Sequence, residues 1–192
     1  MGKSKYMKEI KGFFGKTPVV SSADIKVYTG KKGYSYLLVN NLIKRGEIKR
    51  IKKGFYTIHD DPVVSVFCYR PSYIGMQEAL SIYGLWEQET NVVIVTSQKT
   101  KHRKIEVFES NVILHRINPR YMFGFDLIKY GNFYVPVSDL EKTLIDLVYF
   151  NEIPDKKILR EMRKRINAKK FGKYLQKYPE KIRKKILKYY KH

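Results

Sequence analysis

Catalysis and metal binding need nucleophiles, bases or ligands at compatible spacing, and His59, His102, His115, His192 and Cys68 have the most to offer here. None of them stands at the short intervals from which one helix or hairpin presents paired ligands, so no metal site is expected. Cys68 lies in an apolar run, Val66-Phe67-Cys68-Tyr69, and reads as a small buried hydrophobe. A single thiol cannot close an internal disulfide, which fits a reducing cytoplasm. No glycine-rich phosphate loop occurs in the sequence. Asp139, Glu141 and Asp146, with Lys142 among them, form the acid cluster that could hold Mg²⁺ for phosphodiester hydrolysis. Ser138 and Glu141 also fit the S-x-x-E capping box, and Asp139 suits the positive end of a helix dipole. Structural use of the cluster is therefore the expectation. The reading is not an enzyme, with no catalytic residue and no cofactor.

What the chain does carry in quantity is positive charge. Its 192 residues hold 39 Lys and Arg against 18 Asp and Glu, a net charge of +21. The charge is organised: residues 1–61 carry +9, residues 62–150 are neutral and residues 151–192 carry +12. A uniformly lysine-rich exterior would not leave the middle neutral. Two basic ends invite a polyanion, of which nucleic acid is the commonest in a cell. The N-terminus runs straight into charged residues without the apolar stretch of a signal peptide, and no apolar run approaches the ~20 residues that span a bilayer. A soluble cytoplasmic protein with no membrane partner is expected.

The basic N-terminal third has a recognisable order of elements. Tyr6, Met7, Ile10, Phe13 and Phe14 recur at helical spacing, predicting a helix over residues 4–14. Ser21-Ser22-Ala23-Asp24 looks like a cap opening a short helix that Gly30 stops. After a turn at Lys31-Lys32-Gly33, a third helix runs from about Tyr34 to Arg45, with Leu38, Val39, Leu42 and Ile43 as its buried stripe. Residues 47–51 and 55–58 then alternate polar with apolar around Lys52-Lys53-Gly54, a hairpin with a basic tip. Three helices and a basic hairpin are the layout of a winged helix-turn-helix, in which the third helix enters the major groove and the hairpin follows the phosphates. Candidate DNA-binding residues are Lys31, Lys32, Tyr34, Tyr36, Leu37, Asn40, Asn41 and Lys44, with Arg50, Lys52 and Lys53 in the hairpin. Leu37 is either a contact for a thymine methyl or part of the core.

Beyond this module, Asn91–Thr96, Ile105–Phe108 and Val112–Arg116 have strand character, and residues 125–137 form another hairpin around Tyr130-Gly131. A helix opening at Ser138 presents Leu140, Leu144, Ile145 and Val148. Three further helical stripes follow in the tail. Their polar faces carry Arg160, Arg163, Lys164, Arg183, Lys184, Lys185 and Lys188, a second nucleic-acid surface or a docking site for an acidic partner. The expected fold is α+β: a winged helix-turn-helix over 1–61, a central α/β domain over 62–150, and a basic helical tail over 151–192 packed on it.

Three segments in order resemble the AbiEi antitoxin family of abortive-infection regulators: Gly46–Tyr56 (GEIKRIKKGFY), Arg70–Leu85 (RPSYIGMQEALSIYGL) and Val137–Leu147 (VSDLEKTLIDL). The resemblance covers residues ~4–150. Gly75 stands where that family usually has Ser, and Ser138-Asp139 where Pro is common. It implies an N-terminal winged helix that represses its own operon, usually at inverted repeats in double-stranded DNA. It also implies a C-terminal portion that counteracts a nucleotidyltransferase-like toxin. The alternatives are an interaction protein that binds nucleic acid or a toxin without operator specificity, and a metal-dependent nuclease.

Overall fold

A computed structural model describes residues 12–15, 17–30, 32–88 and 90–191. The fold is mixed α+β, with several helices and two sheets. The chain divides into two compact units: residues 1–68 with 106–110, and residues 69–105 with 111–192. Of the helix expected over residues 4–14, only 12–14 lie among the described residues, and they are helical.

The first unit contains β1 (Val20–Ser21), α1 (Ser22–Thr29), α2 (Lys32–Lys44), β2 (Lys49–Lys52) and β3 (Phe55–Thr57). Helix α1 starts at Ser21, whose hydroxyl accepts from the Asp24 amide at 3.2 Å while Asp24 accepts from the Ser21 amide at 2.8 Å. This reciprocal box satisfies two otherwise orphaned amides. Gly30 ends α1 in the left-handed region, at φ 66°. Helix α2 begins at Lys32, so the expected turn is shorter than Lys31-Lys32-Gly33. The hairpin of β2 and β3 turns at Lys53-Gly54, and Lys52 lies inside β2. A register shift falls between Arg50 and Lys52. Strand β1 adds to the other flank of β3, a pairing not anticipated from the sequence, giving the order β1-β3-β2. Phe14, Val20, Ile25, Leu38, Val39, Leu42, Ile48 and Tyr56 close the core of this unit.

The second unit holds most of a six-stranded sheet that comprises β4 (Ser72–Ile74), β5 (Val92–Thr96), β6 (Lys104–Val107), β7 (Ser110–Arg116), β8 (Phe125–Tyr130) and β9 (Phe133–Ser138), residues 106–107 and 110 being counted with the first unit. Their order is β6-β7-β5-β4-β9-β8. Strand β4 runs antiparallel to β5 and parallel to β9, and β5 runs parallel to β7. The five residues of β5 are all buried, as its continuous apolar run requires of a strand covered on both faces. The helices are α3 (Met76–Ile82), α4 (Leu140–Tyr149), α5 (Lys156–Arg165), α6 (Ala168–Leu175) and α7 (Glu180–Lys191).

The helices of the tail belong to this unit's main core, where Leu159, Met162, Ile166, Phe171, Leu175, Tyr178 and Ile186 pack with Tyr73, Leu80, Val95, Leu144 and Val148. Helix α4 is enclosed: every residue from Glu141 to Val148 is buried. Its cap differs from the expected Ser138–Glu141 box. Asp139 is the N-cap and accepts from the Lys142 amide at 2.7 Å, while Ser138 remains in β9 with its hydroxyl 2.7 Å from that of Thr143. Among the described residues no helix is long and apolar enough to cross a membrane.

Candidate nucleic-acid interface

Helix α2 sorts its residues by period. Leu38, Val39 and Leu42 are buried, Ile43 packs beside them, and Ser35 is buried on the same side. The opposite stripe holds Tyr36, Leu37, Asn40, Asn41 and Lys44, at i, i+1, i+4, i+5 and i+8. Tyr36 is 66% exposed and Leu37 61%, which removes Leu37 from the core and fixes the phase of the helix. Asn41 and Lys44 are exposed and Asn40 half-buried. Neither asparagine side chain makes a hydrogen bond to another described residue. No acidic residue occurs anywhere in α2.

Not every candidate lies on this stripe. Tyr34 is half-buried against the core of the unit. Lys31 falls outside the described residues, and of Lys32 only the helical backbone is described. In the hairpin, Arg50 and Lys53 are exposed, the former with its guanidinium 6.0 Å from the ring of Tyr56. Lys52 is half-buried: its ammonium donates to the Cys68 carbonyl at 3.1 Å and lies 5.0 Å from the ring of Phe55. The Gly54 carbonyl accepts from the Ser22 amide at 2.8 Å, tying the hairpin turn to the start of α1. A mainly apolar groove of about 580 Å³ is lined by Ala23, Ile25, Val39 and Tyr56, with Tyr36 at its wall.

The basic residues of the second unit are partly engaged within the protein. Lys164 pairs with Glu161 at 2.6 Å and Lys184 with Glu180 at 2.7 Å. Lys185 donates to the Val148 carbonyl at 3.0 Å, and Arg163 to that of Leu159 at 3.3 Å. Arg183 is half-buried, while Arg160 and Lys188 are exposed. Lys156, Lys157, Lys169, Lys173 and Lys181 are exposed as well. These five were not among the residues expected from the sequence, since charge alone does not separate a lysine that faces solvent from one engaged within the fold.

The acid cluster is committed to the fold. Asp146 is fully buried, accepts from the Tyr73 hydroxyl at 2.7 Å and pairs with the ammonium of Lys142, itself fully buried. That ammonium also donates to the Tyr178 hydroxyl at 3.2 Å and lies 5.4–5.9 Å from the rings of Phe123, Tyr73 and Tyr178. Burial pushes the Asp146 carboxyl above the usual carboxylate range and the Lys142 ammonium below the usual lysine range. Asp139 caps α4 and accepts from Tyr174 at 2.8 Å and Lys170 at 2.9 Å, and Glu141 accepts from the Asn167 amide at 2.7 Å. Among the described residues no group of three or more His, Cys, Asp or Glu is arranged to hold a metal ion. His115 is buried, with Nε2 3.2 Å from a Glu152 oxygen that also pairs with Arg103. Burial lowers its pKa.

Comparison with protein-family models finds none that matches the chain, and comparison with curated proteins finds no match.

Proposed function

We propose that residues 12–58 form the helix-turn-helix and wing of a sequence-specific duplex-DNA-binding unit, and that the protein is a transcriptional regulator of the AbiEi antitoxin type. In this reading α2 is the recognition helix and the β2–β3 hairpin the wing. The observation that carries it is the outward stripe of α2: two carboxamides, a lysine, a tyrosine and a leucine, with no acid to repel phosphate. Asparagine can pair bidentately with adenine, and lysine can reach guanine or phosphate. Arg50 and Lys53 extend from the hairpin of the same unit, where they would neutralise backbone phosphates and set the register of the helix.

The second unit is proposed as a neutral α/β body with basic helices α5–α7 packed on it. It would counteract a nucleotidyltransferase-like toxin, and the exposed lysines of those helices would add a secondary contact to nucleic acid. Autorepression from an operator of inverted repeats completes the proposal, which rests on the three family-like segments.

Fluorescence anisotropy tests the reading, with the duplex upstream of the gene against a scrambled duplex over a salt series. A preference of ~10³-fold or more near physiological salt is expected of a specific regulator. Equal affinities that fall away together with salt would leave only a general attraction for polyanions and refute it.

A further inference from the structure

The outward stripe of α2 has a chemistry of its own, and we infer that it reads an A·T-rich segment of the major groove, with Leu37 as the residue that recognises thymine. This rests on the proposal that α2 is a recognition helix. Tyr36 to Lys44 spans eight residue steps, about 12 Å at 1.5 Å per residue, or roughly three to four base pairs. Over that length the side chains offered to base edges are Leu37, Asn40 and Asn41, flanked by Tyr36 and Lys44.

Each base pair presents a distinct pattern in the major groove. Adenine offers an acceptor and a donor at N7 and N6, which one carboxamide satisfies with two hydrogen bonds. Thymine presents the C5 methyl, the apolar group an exposed leucine can cover, while guanine is read best by the fork of an arginine. Helix α2 contains no arginine. Among its described side chains, Lys44 is the one cation on the outward stripe, at the C-terminal end of the helix. An apolar side chain 61% exposed is costly in water and gains when a methyl group displaces that water. The two carboxamides and the leucine therefore select the two partners of one base pair.

The test uses the full chain and a library of duplexes randomised over about 20 base pairs, selected near physiological salt. Enrichment of A·T pairs in a run of three to four is expected. Replacing a contacted A·T by G·C in the selected duplex should weaken binding roughly 5- to 150-fold. The same duplex is then made with deoxyuridine for thymine, which deletes the methyl and keeps the pairing. Wild type should lose about fourfold per contacted methyl, the equivalent of burying one methylene-sized group. Leu37→Ala should bind thymine and uracil duplexes equally, and Leu37→Met should restore the difference. A selected site with G·C pairs at its centre, or a selected A·T site bound equally with thymine and uracil by wild type, overturns the inference while leaving sequence-specific DNA binding in place. A library that yields no enriched sequence overturns the proposed function and this inference with it.

Discussion

Replacing Lys142 by Met isolates the most consequential electrostatic contact in the second unit. The substitution keeps most of the side chain's length and removes its charge, leaving Asp146 with no exposure to water and one hydrogen bond, from the Tyr73 hydroxyl at 2.7 Å. Removing one partner of a buried pair costs about 3–5 kcal/mol because the other charge is left uncompensated. Burial already raises the Asp146 carboxyl, and losing the ammonium raises it further. A carboxyl with a raised folded pKa contributes stability that is complete below its unfolded pKa and lost as pH rises through the folded value. The penalty for Lys142→Met should therefore be largest at pH 7.5 and shrink toward pH 4.5. Adding Asp146→Asn keeps an acceptor for Tyr73 and removes the stranded charge, so the double variant should recover to within roughly 1 kcal/mol of wild type. Urea unfolding followed by fluorescence is the assay. The single tryptophan, Trp86, packs against this core and reports on this unit. A loss under about 1 kcal/mol at pH 7.5, or the same loss at both pH values, would refute the reasoning.

Three other outcomes follow from the geometry. Arg50→Ala with Lys53→Ala should weaken operator and scrambled duplexes alike and flatten the salt dependence by about 1.8 in slope, at ~0.9 per phosphate contact, whereas a change in sequence preference would place these residues at base edges. Gly124→Ala should destabilise the second unit by roughly 2–4 kcal/mol in the same urea assay. At φ +72° its new Cβ would lie 2.8 Å from the Tyr174 ring and 2.9 Å from the Lys142 Cβ. His115, whose pKa burial lowers, contributes stability that is present above its unfolded pKa and lost as pH falls through the folded value. Wild type should lose stability between pH 7 and 5 more steeply than His115→Gln, measured by thermal unfolding.

Local signals in the sequence were legible and distant ones were not. Helix α1 was placed because Ser21 and Asp24 cap it over three residues, and the stripe of α2 because a 3.6-residue period needs no partner to be seen. Strand β1 is two residues long and pairs with Tyr56 and Phe55 far along the chain, so no pattern announces it. The cap of α4 shifted from Ser138 to Asp139 because Ser138 pairs with Phe125 at the end of β9, and a residue held in the strand cannot open the helix. Lys142 and Asp146 stand four apart, as an exposed helix pair would. Only the packing of α3, α5, α6 and α7 around α4 places them inside. Lys52 looked like a residue of the hairpin tip, and the Cys68 carbonyl that engages it lies 16 residues away.

The central place of β4 matters while the chain is still emerging from the ribosome. One flank of this strand meets β5 about twenty residues later, but Val137, the partner of Ile74 on the other flank, is made only ~60 residues after Ile74, which takes roughly 3–12 s at 5–20 residues per second. Throughout that interval a wholly buried strand of the finished protein presents an open hydrogen-bonding edge. Nascent chains in adjacent stages of synthesis on one messenger carry the same open edge at the same time. Slow codons between β5 and β9 would lengthen that exposure, and yield on overexpression should depend on translation speed there more than in the first 68 residues.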